Sequence, residues 1–128
     1  MEIRFTVPGR PVAKQRARNV RTKSGLSLTY TPEATASYEN YIRMVALEHK
    51  PETLLDGALA LALTVYVAKP KTGRRQYTTT RPDLDNYIKT VEDALNGIIW
   101  TDDARIVDIV ANKRYGEPRV EVIVREAV

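Results

Sequence analysis

Between Arg81 and Asp103 the chain reads RPDLDNYIKTVEDALNGIIWTDD, and the spacing of its apolar residues demands an amphipathic helix laid on a core. At about 100° per residue, Leu84, Tyr87, Ile88, Val91, Ala94, Leu95 and Ile98 fall on one arc. With Asp85 at the origin, Asn86, Lys89, Glu92, Asp93 and Asn96 share a polar stripe of about 120°. Pro82 fits only at or before the first turn. Asn96-Gly97 supplies residues that tolerate the left-handed conformation closing many helices. The spacing therefore predicts a helix from Leu84 to Asn96.

The same stretch holds Asp83, Asp85, Glu92, Asp93, Asp102 and Asp103 against only Arg81 and Lys89, in a chain of net charge +4. Asp83 would lie at about 160° on the wheel, so it belongs to the turn before the helix and cannot share Asp85's face. Asp83 and Asp85 can then converge from a loop and a helix N-terminus, where carboxylates are favoured. Converging carboxylates suit a hard divalent cation such as Mg2+, which takes oxygen ligands and keeps several waters. Lys89, one turn after Asp85, is placed to pair with it and face the same site. A cap, a surface pair and a turn would each explain one of these acids; their concentration in one segment favours a site. A calcium loop counted from Asp83 fails, because it needs Gly at the sixth position and Glu at the twelfth, where Ile88 and Ala94 stand.

The run Asp83-Leu84-Asp85-Asn86, then Lys89, then Asp93-Ala94-Leu95-Asn96-Gly97, then Asp102-Asp103, resembles the signature of the RusA family of Holliday junction resolvases. The likeness extends to Lys113 and the C-terminal strands, and more loosely to Lys14-Gln15-Arg16 and Tyr30-Thr31-Pro32. The resemblance implies a small homodimeric, Mg2+-dependent endonuclease, with Mn2+ as a substitute, that cuts two strands of a four-way junction symmetrically in DNA recombination and repair. It implies catalytic, metal-binding roles for Asp83, Asp85 and Asp103, with Asp102 as the other half of its pair, and makes Lys89 the catalytic lysine.

The remaining residues fit a nucleic-acid enzyme. At 128 residues the chain is expected to form one domain, 1–128. It has no cysteine for a disulfide or a thiolate zinc site. Its opening residues and apolar runs match neither a signal peptide nor a membrane span, and a cytoplasmic protein is expected. A single histidine, His49, argues against Ser-His-Asp chemistry. Ile3, Phe5 and Val7 alternate with polar residues as a first strand ended by Pro8-Gly9.

From Arg10 to Tyr30 the chain carries Arg10, Lys14, Arg16, Arg18, Arg21 and Lys23 and no acid, a basic loop or a hairpin turning at Lys23-Ser24-Gly25. Such clustering is the electrostatic footprint of phosphate binding. Thr31 and Pro32 are set to start a helix that Pro51 stops, with Tyr38 and Tyr41 packing on its apolar face. Leu59, Leu61, Leu63, Val65 and Val67 alternate with Ala and Thr in a strand expected to be central and covered on both faces. The segment after it, with Lys69, Lys71, Arg74, Arg75 and Arg81, reads as a substrate-binding flap delivering the chain to Asp83. Ile106–Tyr115 and Arg119–Arg125 read as strands of a hairpin turning at Gly116-Glu117-Pro118. Lys113 adds to the positive surface, and Trp100 reads as a core anchor.

The order of elements predicts an α/β layer: a small mixed sheet of about four strands packed with two main helices. Cations on the flanks gather a phosphate backbone, and carboxylates at the centre would repel it unless a metal ion intervened. Metal-dependent phosphodiester hydrolysis follows; the resemblance implies branched DNA as its substrate, and no membrane and no small-molecule cofactor are expected. Two rivals remain: a less specific structure-selective nuclease, and a non-catalytic DNA-binding protein that would have no use for central carboxylates.

Overall fold

The computed structural model describes residues 1–15, 18–30 and 32–127. Along them run β1 (Glu2–Pro8), β2 (Arg18–Arg21), β3 (Ser27–Tyr30), α1 (Glu33–Leu47), β4 (Leu59–Val67), α2 (Leu84–Leu95), a 3-10 turn at Asp103–Arg105, β5 (Ile106–Tyr115) and β6 (Arg119–Glu126). Four strands form one mixed sheet in the order β1-β6-β4-β5, and β2 and β3 pair apart from it as a hairpin. The α/β architecture expected from the order of elements is the one observed. Among the described residues, no helix is long and apolar enough to cross a membrane.

Register explains the core. β6 lies antiparallel between β1 and β4, setting Val122 opposite Phe5 and Leu63, and Val120 opposite Val7 and Val65. Because side chains alternate along a strand, these residues line one face together with Leu59, Leu61 and Val124. Tyr38, Ile42 and Ala46 of α1 cover that face with Tyr87, Val91, Ala94 and Leu95 of α2, and Ile99 and Trp100 complete the buried cluster. Each fully buried large aliphatic side chain contributes about 1.5–3 kcal/mol.

α2 begins at Leu84 and ends at Leu95, one residue short of the expected limit, with Gly97 at φ +78° where a side chain would be strained. Pro32 caps α1 rather than occupying its first turn, and Thr31 lies outside the described residues. Tyr41, expected to pack, is exposed.

Two expectations need correcting. Both helices lie on one face of the sheet, so β4 is covered by helices on one side only. On the other side Ala60, Ala62, Thr64 and Tyr66 are half-buried; Ala62 and Thr64 share a shallow depression with Arg4, Thr6, Glu121 and Ile123 of the neighbouring strands. Small side chains there are shielded by longer neighbours, not by a second layer.

Nor do β5 and β6 form a hairpin. β5 pairs in parallel with β4, completing a β4-α2-β5 crossover, and β6 pairs with β4 from the other side. Gly116-Glu117-Pro118 therefore carries the chain past the end of β4 instead of turning it back on its neighbour. The Gly116 N–H donates to Val67 O at 3.0 Å, and a Cβ at Gly116 would lie 2.8 Å from Tyr66 Cδ1. Only glycine passes there without displacing the ring.

Candidate active site

The parallel crossover brings the start of β5, with the acidic turn ahead of it, alongside α2, so Asp103 returns to the polar stripe that Asp85 opened. Asp83 is the N-cap of α2 in extended conformation (φ −71°, ψ 148°), and its side chain makes no capping hydrogen bond. Asp83 and Asp85 are both exposed, which leaves their oxygens open to solvent and ligands.

Lys89 connects the two ends of the motif. Its Nζ lies 3.0 Å from Asp93 Oδ1 and 3.6 Å from Asp103 Oδ2. The hydrogen bond to Asp93 holds the ammonium above the ordinary lysine pKa against a smaller opposing effect of burial, with the Asp93, Asp103 and Glu92 charges adding to it. The expected partner, Asp85, makes no ion pair among the described residues. Asp93, one turn further along α2, takes its place together with Asp103, which the turn before β5 brings to the same face. Asp103 is also approached by Asn96, whose Nδ2 donates at 3.5 Å, while the buried Trp100 Nε1 donates to Asn96 Oδ1 at 2.6 Å. The core tryptophan thereby orients the amide that reaches Asp103. Burial, and then the Asp103 charge, raises the pKa of half-buried Glu92.

Asp102 serves its own backbone, its Oδ2 accepting from Ala104 N at 3.4 Å. Among the described residues no three His, Cys, Asp or Glu side chains are gathered closely enough to cage a cation. The expected convergence of Asp83, Asp85 and Asp103 is thus not a closed cluster in this geometry, where Asp103 is engaged by Lys89 and Asn96. The donor chemistry, exposed carboxylate oxygens on one helix face and an adjacent turn, still suits a hard cation, since Mg2+ commonly uses one or two carboxylates with water and phosphate oxygens completing its shell.

The basic residues divide into two groups. Arg21, Lys69, Lys71, Arg74, Arg75 and Arg81 are exposed, with Arg75 donating to Thr79 Oγ1 at 2.8 Å. Lys14 and Lys113 are engaged within the fold. Lys113 Nζ donates to the carbonyls of Thr80 and Pro82, 2.9 Å each, immediately before Asp83. Lys14 Nζ lies 2.7 Å from Glu39 Oε1 and 3.2 Å from Asp93 Oδ2. Arg16 lies outside the described residues, as does the side chain of Arg18.

Glu39 and Arg43 were not legible as site residues. Glu39 is buried on α1, and its Oε2 lies 3.5 Å from Arg43 Nη2. Arg43 also donates from Nε to Ala94 O at 3.1 Å, which fastens α1 to the end of α2. Their i, i+4 spacing was visible, but it resembles any surface pair until the burial is known.

An acid-centred helix face beside an acidic turn, with exposed cations on the segment leading to it, has the charge layout that an enzyme acting on a polyanion requires. The family model described as endodeoxyribonuclease RusA matches residues 8–125. The chain belongs to the RusA endodeoxyribonuclease family. It is 38% identical over 137 residues to YqaN of Bacillus subtilis (strain 168), an uncharacterized protein, covering 97% of this chain and 96% of that one. It is 28% identical over 130 residues to the crossover junction endodeoxyribonuclease rusA of Lactococcus phage r1t, covering 98% of this chain and 97% of that one.

Proposed function

We propose that this endodeoxyribonuclease resolves four-way DNA junctions by paired phosphodiester hydrolysis, as a homodimer dependent on Mg2+ or Mn2+, in recombination and repair. The observation that carries the reading is the approach of Lys89 to Asp103, which joins the Asp85 face of α2 to the turn before β5. Family membership and the junction-cleaving phage relative support the substrate. Two-fold symmetry in a dimer would match the two-fold symmetry of a junction.

Asp83, Asp85 and Asp103 would hold the metal. When bound, that ion supplies an activated water and neutralises charge on the scissile phosphate. Lys89, whose positive charge lies beside Asp103, would offset the charge that grows on phosphate oxygens as the bond breaks. Asn96 keeps Asp103 in place. Lys69, Lys71, Arg74, Arg75 and Arg81 on the flap, with Arg21 of the β2-β3 hairpin, gather the DNA backbone. Lys113 holds the flap's end against the start of α2, and Asp102 caps the turn that carries Asp103.

The test is cleavage of a synthetic four-way junction beside matched linear duplex and flap DNA, with Mg2+, with EDTA, and with Asp85→Asn protein. Paired symmetric cuts on the junction, lost in both controls, support the proposal. Equal cutting of all substrates would withdraw junction specificity and leave a less specific nuclease. Tight junction binding without cutting would favour a binding protein.

A further inference from the structure

We propose that Lys14 is a positioning residue for Lys89, acting through Asp93, and not a contact to DNA phosphate; the proposal rests on the nuclease reading above. Lys14 sits in the segment between β1 and β2, with Pro11 and Ala13 buried on its N-terminal side. Its backbone N–H donates to Asn86 O in the first turn of α2 at 2.9 Å, and the next N–H, that of Gln15, donates to Thr35 Oγ1 of α1 at 3.2 Å. The segment is therefore clamped to both helices, on α2 at the residue that follows Asp85. From that clamp the Lys14 side chain, 25% exposed, reaches carboxylates on both helices at once.

Asp93 divides its two oxygens between two lysines: Oδ2 faces Lys14 at 3.2 Å and Oδ1 faces Lys89 at 3.0 Å. This division matters because a carboxylate accepts from both oxygens and can rotate to engage one partner with both. With Lys14 in place, Asp93 offers Lys89 one oxygen in a fixed direction, and the ammonium remains within 3.6 Å of Asp103. Without Lys14, both oxygens of Asp93 are free to close on Lys89 and draw it from Asp103. Glu39, whose side chain is only 9% exposed, would keep Arg43 alone as its partner among the described residues. A lysine shared between two carboxylates in this way has little charge to offer a phosphate, whereas exposed Arg74 and Arg75 have no such claim on them among the described residues.

The experiment measures cleavage and binding of one four-way junction by wild type, Lys14→Met, Lys14→Gln, Lys14→Arg, and Lys14→Met in a Lys89→Ala background. Lys14→Met is expected to lower kcat by about tenfold or more, the size typical of removing a partner that orients a working group. Junction Kd in EDTA should stay within about twofold, and the kcat loss should shrink below about twofold when Lys89 is already alanine. Lys14→Arg should recover most of the rate, and Lys14→Gln, which removes the charge but keeps a polar end, should reproduce the loss if Lys14→Met fails to fold. Equal losses in both backgrounds would reveal a merely structural role and overturn the proposal. So would a loss appearing in Kd with the salt slope reduced by about one, the mark of a residue bound to phosphate. A wild type that cuts no branched or linear DNA with either metal would overturn the nuclease reading, and this proposal with it; an active wild type matched by Lys14→Met would overturn this proposal alone.

Discussion

Lys89 Nζ and Asp103 Oδ2 approach to 3.6 Å across the gap between α2 and the turn before β5, so a positive charge and an acid that a loop separates in sequence are neighbours in the fold. Lys89→Ala should lower kcat on junction DNA by about a hundredfold, the scale of one electrostatic stabiliser removed from a transition state. Kd should change little. A defect confined to affinity would reassign Lys89 to backbone contact.

Asp85 projects from the first turn of α2 into solvent. Asp85→Asn should depress cleavage on the order of a thousandfold, while metal-free binding persists or tightens because a charge that repels phosphate is gone. Gel-shift titration in EDTA alongside single-turnover cleavage measures both, and normal turnover would refute a metal-holding role.

Arg74 and Arg75 are exposed on the segment leading to Asp83. Replacing both by Ala should weaken junction binding and reduce the slope of log Kd against log salt by about 0.9 for each phosphate that is no longer neutralised. An unaltered slope would take the flap out of the interface.

Glu92 is held above its ordinary pKa of 4.5 by burial first and the Asp103 charge second. An acid with a raised folded-state pKa favours the fold when protonated. Its contribution is full below the unfolded value and is lost as the pH rises through the folded one. Glu92→Gln should therefore raise Tm in EDTA by roughly 2 °C at neutral pH, and the gain should disappear in acid below the unfolded pKa. A lower Tm for the variant at neutral pH would contradict the sign.

Gly116 runs beneath Tyr66, whose ring lies 3.7 Å from the Arg119 guanidinium on its face. Gly116→Ala should cost about 1–3 kcal/mol through overpacking, read as a lower urea midpoint with an unchanged m-value. No shift would mean that the ring yields freely.

Local structure is legible in the order of the residues. The period of Leu84, Tyr87, Val91 and Leu95 and the Asn96-Gly97 stop define α2 and its two faces, because contiguous residues alone settle which side chains share an arc. The alternation in β1 and β4, and the acids and lysine of the motif, were legible for the same reason. Which residues become neighbours was settled by the packing of the folded chain. It placed β6 between β1 and β4, so that a Gly-Glu-Pro link with the chemistry of a hairpin became a crossing past β4. It also gave Lys89 to Asp93 and Asp103, and committed Lys14 to Glu39 and Asp93. A charged side chain responds to whatever lies within a few ångströms, and residues distant in sequence become neighbours only when the chain folds.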